Sequence, residues 1–179
     1  MAEAAGIRIT AAEYAQLPET TQPMELIDGE VIELATPKDD HQKLLLNLVR
    51  ILSGLIPGGE LRFAPMDVYL DDLNVLQPDI FWVSGPDSRC KLSEDGWWHG
   101  GPDLVVEALS PSTAVRDRRE KFRLYEKYGV CEYWLVDPAA HYVEVWALPD
   151  RKGIYTIGDT FESPVLVNKT IEVKALFSS

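Results

Sequence analysis

The sequence predicts an α/β (α+β) domain in which a mixed central β-sheet is flanked by helices and preceded by an N-terminal β-hairpin. Three observations predict it. A hairpin signal stands early in the chain at MELIDGEVIEL, two stretches carry helical periodicity (HQKLLLNLVRILSGLI and RDRREKFRLYEKYG), and apolar strand-like runs lie between and after them.

Taken in order, TAAEYAQLPE reads as a short helix ended by Pro18. Asp28-Gly29 then separates two apolar runs, the spacing of a tight two-residue turn. After the turn-like stretch from Thr36 to Asp40, Leu44, Leu48, Ile51, Leu52 and Leu55 fall at helical spacing, and Pro57-Gly58-Gly59 ends that helix. ELRFAPMDVYL is an extended stretch carrying Pro65, and VLQPDIFWV reads as the next strand after Asp71-Asp72. A polar, Gly-rich loop with Trp97 and Trp98 leads into the strand DLVVEAL. Ser110 to Ala114 reads as loop and cap, and the second helix runs to Gly129. EYWLVDP and YVEVWAL form a strand pair across Asp137-Pro138, and alternating Val, Ile and Leu in 153–179 give one or two edge strands. With no repeat or linker, 1–179 reads as a single domain with its core at about 24–146.

Composition narrows the class. Hydrophobic residues make up 46% of the 179, enough for a sizeable core. No run approaches the roughly 18 apolar residues of a membrane span, and no basic leader precedes an apolar stretch. Cys90 and Cys131 stand in no metal-ligand spacing and read as two lone buried thiols in a reducing cytoplasm. The net charge of −12 repels nucleic acid at long range, which excludes a protein that coats DNA non-specifically. Brief binding through one local patch and a metal ion survives that test. Residues 116–127 carry six basic side chains against three acidic ones, a local +3 where the rest of the chain carries −15.

Two acids fall where a strand should be apolar. Asp79 interrupts VLQPDIFWV and Glu107 interrupts DLVVEAL. An unpaired buried carboxylate is costly, and two in adjacent strands invite a shared cation. A hard ion such as Mg²⁺, or Mn²⁺ in its place, needs only one or two carboxylates plus water and substrate phosphate. Read singly, each acid could instead cap a turn or pair with an arginine. Strand alternation puts Asp103, Val105, Glu107 and Leu109 on one face. The LSPST loop that follows opens a helix whose amides could hold an anion, or is simply capped by Ser112 or Thr113. Asp117, Lys121 and Tyr125 recur at i, i+4, i+8 and so line one stripe, either a solvated helix face or a lysine aimed at the carboxylates.

MELIDGEVIEL, QPDIFWV, DLVVEALSPST and RDRREKFRLYEKYGVCEYWLVDP together resemble the Uma-two-type family, a chiefly bacterial group in the PD-(D/E)XK restriction-endonuclease-like superfamily. The resemblance spans about Met24 to Trp146. It implies a restriction-endonuclease-like mixed sheet and Mg²⁺-dependent hydrolysis of phosphodiesters. Pro78-Asp79 resembles the first half of the motif and Glu107 the second. Where the superfamily places its lysine, two residues after the acid, this chain has Leu109, and the resemblance implies that Lys121 on the following helix takes that role. Glu30 and His41 stand where the family has polar residues near the site. A strand-surface acid and a helix N-terminal residue are their plainer readings.

The expected activity is therefore a divalent-metal-dependent endonuclease, with Asp79 and Glu107 holding the ion, Lys121 acting on the reacting water or phosphate, and DNA as substrate. Glu30, His41, Ser112, Asp117 and Tyr125 are accessory candidates. The alternative is a non-catalytic member of the fold that binds nucleic acid or assembles with protein, which the −12 charge and Leu109 favour. No GxSxG, GxxxxGK[ST] or GxGxxG occurs, and His41, His99 and His141 share no motif. Trp97, Trp98 and Trp146, read as exposed aromatics beside sheet edges, suggest a homodimer.

Overall fold

The computed structural model describes residues 8–18 and 21–178. Thr10 caps α1 (Ala11–Tyr14) and shares a reciprocal capping box with Glu13. The hairpin follows as β1 (Met24–Ile27) and β2 (Glu30–Glu33), closed by the pair Ile27 and Glu30. Asp28 and Gly29 both have positive φ (50° and 83°), the conformation a tight hairpin turn demands and the reason that dipeptide marks one. Helix α2 (Asp39–Leu55) buries Leu44, Leu45, Leu48 and Leu52 on one face. Beyond it Gly59, at φ 80°, packs so closely on the end of a neighbouring strand that an added Cβ would lie 2.2 Å from the Val83 carbonyl.

The next two extended runs depart from the expectation. Each is two strands, and its halves belong to different sheets. ELRFAPMDVYL splits into β3 (Glu60–Phe63) and β4 (Val68–Asp71), and VLQPDIFWV into β5 (Asn74–Leu76) and β6 (Ile80–Val83). Both breaks contain a proline, Pro65 and Pro78, which cannot donate to a ladder. Asp79 thus lies at a crossing between sheets rather than inside a strand.

The polar loop contributes short β7 (Lys91–Leu92) and β8 (Trp98–His99) before β9 (Leu104–Ala108). The second helix is one helical run in three parts: α3 (Ala114–Arg116), a π turn (Asp117–Lys121) and α4 (Phe122–Lys127). Then come β10 (Glu132–Asp137), β11 (Tyr142–Ala147), β12 (Asp150–Thr156), β13 (Thr160–Glu162), β14 (Thr170–Glu172) and α5 (Val173–Leu176). Of the tail, only β12 is an edge strand of the central sheet. β13 and β14 pair with each other, and the chain returns as a helix.

The central sheet has the order β12-β11-β10-β9-β6-β3 and is mixed, since β9 and β10 run parallel while the other neighbours are antiparallel. The mixed α+β class is therefore as the sequence predicts. A second six-stranded sheet, β2-β1-β5-β4-β8-β7, was not foreseen. One face of the central sheet, with Ile80, Val106, Trp134 and Val143, packs on α2 and the C-terminal segment. The other face, with Phe81, Val105, Tyr133 and Leu135, packs on Ile27, Val68 and Leu76 of the second sheet and on Leu124 and Tyr125 of α4. Each such fully buried side chain contributes about 1.5–3 kcal/mol by area. The second interface holds the site.

Three surface expectations change. Trp98 is buried and Trp146 half-buried against this core, leaving Trp97 as the exposed tryptophan of the three. Cys131 is exposed, while Cys90 is buried as expected. Among the described residues no helix is long and apolar enough to cross a membrane.

Candidate functional site

Glu107 points from β9 into the layer between the sheets, on the same face as Val105 and Leu109, and is 3% exposed. Asp79 enters the neighbouring register beside β6. Its amide lies 3.4 Å from Glu107 Oε2, and its own Oδ2 accepts from the Ala108 amide at 2.7 Å. Asp79 Oδ1 meets His41 Nε2 at 3.1 Å, so the first residues of α2 reach the same point. The side chains of Asp79 and His41 are 16% and 20% exposed, so solvent meets the cluster here.

The helix supplies the cation. Asp117, Lys121 and Tyr125 are all buried and all face inward. In a regular α-helix, positions four and eight residues apart drift steadily around the axis. The wider π turn rotates each residue through a smaller angle and cancels part of that drift, keeping the three on one line. Lys121 Nζ lies 3.0 Å from Glu107 Oε1, which also accepts from the Tyr125 hydroxyl at 2.8 Å. It lies 3.7 Å from Asp117 Oδ1.

The shortest contact of Lys121, 2.7 Å, is with Glu25 Oε1 of β1, a residue the sequence reading passed over. The available signal was an acid in a hairpin strand, two residues from the inward-facing Ile27. Glu30, the hairpin acid expected near the site, shares the face of Ile27 as its cross-strand partner, but it sits exposed at the turn and makes no contact with the cluster among the described residues. Ser112 is also exposed, bonded to Ser110 Oγ at 3.0 Å in the loop before α3. The structure therefore brings together Asp79, Glu107, Lys121, His41, Asp117 and Tyr125, adds Glu25, and leaves out Glu30 and Ser112.

Charge at the cluster is unbalanced, with one lysine among the carboxylates of Glu25, Asp79, Glu107 and Asp117. Burial pushes the Glu107 carboxyl well above the usual carboxylate range. Lys121 opposes that shift, and the charges of Asp79, Asp117 and Glu25 add to it. Burial also raises Asp117. Burial alone would strip the Lys121 proton, but Glu107, Glu25 and Asp117 outweigh it and hold the ammonium well above its ordinary range. The hydrogen bond to Asp79 raises His41. Among the described residues, two buried oxygens, Glu25 Oε2 and Asp117 Oδ1, have no hydrogen-bond partner.

This surplus of hard oxygen donors suits a hard divalent cation. Among the described residues no three acidic, histidine or cysteine side chains already form a metal-binding group. Two carboxylates completed by water or phosphate could hold such an ion without an all-protein cage.

The mixed α+β fold has a solved counterpart. It is shared, at a TM-score of 0.78 and 24% identity, with a crystal structure from Anabaena variabilis ATCC 29413 described as a “putative nuclease belonging to DUF820”, over 94% of this chain and 97% of that one. The chain belongs to the Uma2 family, described as “Putative restriction endonuclease”, whose profile it matches over residues 11–174. An uncharacterized protein of Synechocystis sp. is 30% identical over 154 residues, 83% of this chain and 86% of that protein. A second from the same organism is 28% identical over 133 residues, 72% of this chain and 68% of that protein.

Proposed function

We propose that the protein is a divalent-metal-dependent endonuclease acting on DNA in the cytoplasm, with Asp79 and Glu107 as the metal carboxylates and Mg²⁺ or Mn²⁺ as the ion. The observation that carries this reading is the convergence of Asp79, Glu107 and the Lys121 ammonium in one cluster, buried at Lys121 and Glu107 and reached by solvent on the Asp79 side. When bound, the ion supplies positive charge to the scissile phosphate and lowers the pKa of water. Lys121 contributes the fixed charge of an ammonium: surrounded by carboxylates it keeps its proton, so it donates hydrogen bonds and stabilises developing negative charge rather than acting as a base. Tyr125 and the Ala108 amide orient Glu107 and Asp79, and His41 holds Asp79 from the solvent side. The helical run that carries the inward stripe also supplies local positive charge for phosphate contact, with six basic against three acidic residues between 116 and 127.

The deciding assay is direct. Purified protein with Mg²⁺ or Mn²⁺ should cut single- or double-stranded DNA and lose that activity in EDTA. Protein that cuts no DNA or RNA under either metal would leave the non-catalytic nucleic-acid-binding or assembly role in its place.

We also propose a homodimer. The outer edge of β12 closes the central sheet, and Ile154 and Ile157 on and beside it are about half exposed (52% and 50%), a surface suited to a second copy. Light scattering at micromolar concentration should give twice the chain mass, and a monomeric mass would refute it.

A further inference from the structure

Lys121 reaches the site from a helix, on a flexible four-carbon stem, rather than from the rigid strand that carries Glu107. A lysine at position 109 would be placed by its own backbone, but Leu109 fills that place and is buried in the core. A helix-borne ammonium needs something else to fix it. Its ammonium faces three carboxylates: Glu107 on β9 at 3.0 Å and Glu25 on β1 at 2.7 Å, both within hydrogen-bond reach, and Asp117 on its own helical run at 3.7 Å, an ion pair only. Asp117 moves with the helix, and Glu107 Oε1 already serves Tyr125. Glu25 is the contact from the second sheet, and it is the shortest.

Glu25 is itself rigidly held. It is 0% exposed, and the oxygen that meets Lys121 also accepts from the Gln77 amide at 2.9 Å, two residues before Asp79. Its other oxygen, Oε2, is buried and has no hydrogen-bond partner among the described residues.

We propose that Glu25 is the positioning residue for Lys121, fixing its ammonium against Glu107 and tying the hairpin, the Asp79 crossing and the helix to one oxygen. The inference rests on the hydrolytic reading of the cluster, and its test separates the two. In ¹⁵N,¹³C-labelled protein, Lys121 should give a resolved, slowly exchanging ammonium signal with a hydrogen-bond correlation to the Glu25 side-chain carboxyl carbon. Glu25→Gln keeps the shape and removes the charge. It should broaden or displace that signal and lower kcat about 10-fold or more with KM little changed, and Glu25→Asp should recover part of the loss. A Glu25→Gln protein with the native ammonium signal and native kcat, even at a lower melting temperature, would overturn the proposal. If the native protein cuts nothing, the hydrolytic reading falls, and the ammonium signal of Glu25→Gln alone decides: lost, it supports the positioning role; retained, it refutes it. If neither variant folds, the correlation in the native protein decides, and its absence refutes the proposal.

Discussion

Replacing Lys121 by methionine should lower Mg²⁺-dependent cleavage by about 10²-fold or more, the scale usual for a positioned catalytic group. Methionine keeps most of the buried apolar stem and removes the ammonium. Glu25, Glu107 and Asp117 then face one another without their shared cation, so the metal-free variant should also lose stability at neutral pH. Added Mn²⁺ should restore part of that stability while leaving cleavage low, because the ion replaces the missing charge but not its position. Cleavage rates measured at saturating Mn²⁺ are the check. A Lys121→Met protein as fast as the native one would remove Lys121 from the reaction.

Asp79→Ala and Glu107→Gln should each abolish Mn²⁺ binding by calorimetry and leave the fold intact, since each removes a ligand and little packing. Native affinity in either variant would defeat the assignment. The two acids differ in their effect on pH dependence. Glu107 has a folded-state pKa raised above the ordinary 4.5, so between those values the native state binds more protons than the unfolded one and stability falls as pH rises. Asp117, raised from 3.8, and His41, raised from 6.5, act with the same sign in their own ranges. The metal-free native protein should therefore melt lower as pH climbs above about 4.5, and Glu107→Gln should flatten that decline. Each kcal/mol recovered corresponds to about 2–4 °C in a chain of this size. A melting temperature independent of pH from 4 to 8 would contradict the shifts.

Features set by local periodicity could be read directly. The Asp28-Gly29 turn, the apolar stripe of α2, the inward face of Glu107 and the Asp117–Lys121–Tyr125 line each depend on neighbours a few residues apart, and the structure shows each. Features set by which sheet a strand joins could not. Pro78 marks a break within VLQPDIFWV, but nothing local says that β5 and β6 join different sheets, because both halves are buried and apolar. The hairpin acids show the same limit. Alternation identifies an inward face, but how deep a position lies along that face depends on what covers it. Glu25 lies beneath the second interface and Glu30 beyond its rim, and that difference comes from long-range packing. The π turn is also invisible to a period count, which assumes the ordinary helical angle throughout.

The crossing at Gln77-Pro78-Asp79 has a mechanical consequence. The segment passes from one sheet to the other, and along it the Gln77 amide is gripped by Glu25 while the Asp79 carboxylate grips the Ala108 amide. The acidic cluster thus works as a rivet through two plates. A shear that slides one sheet over the other would pull directly on Asp79 and Lys121, so the two sheets carry load as one body at this point.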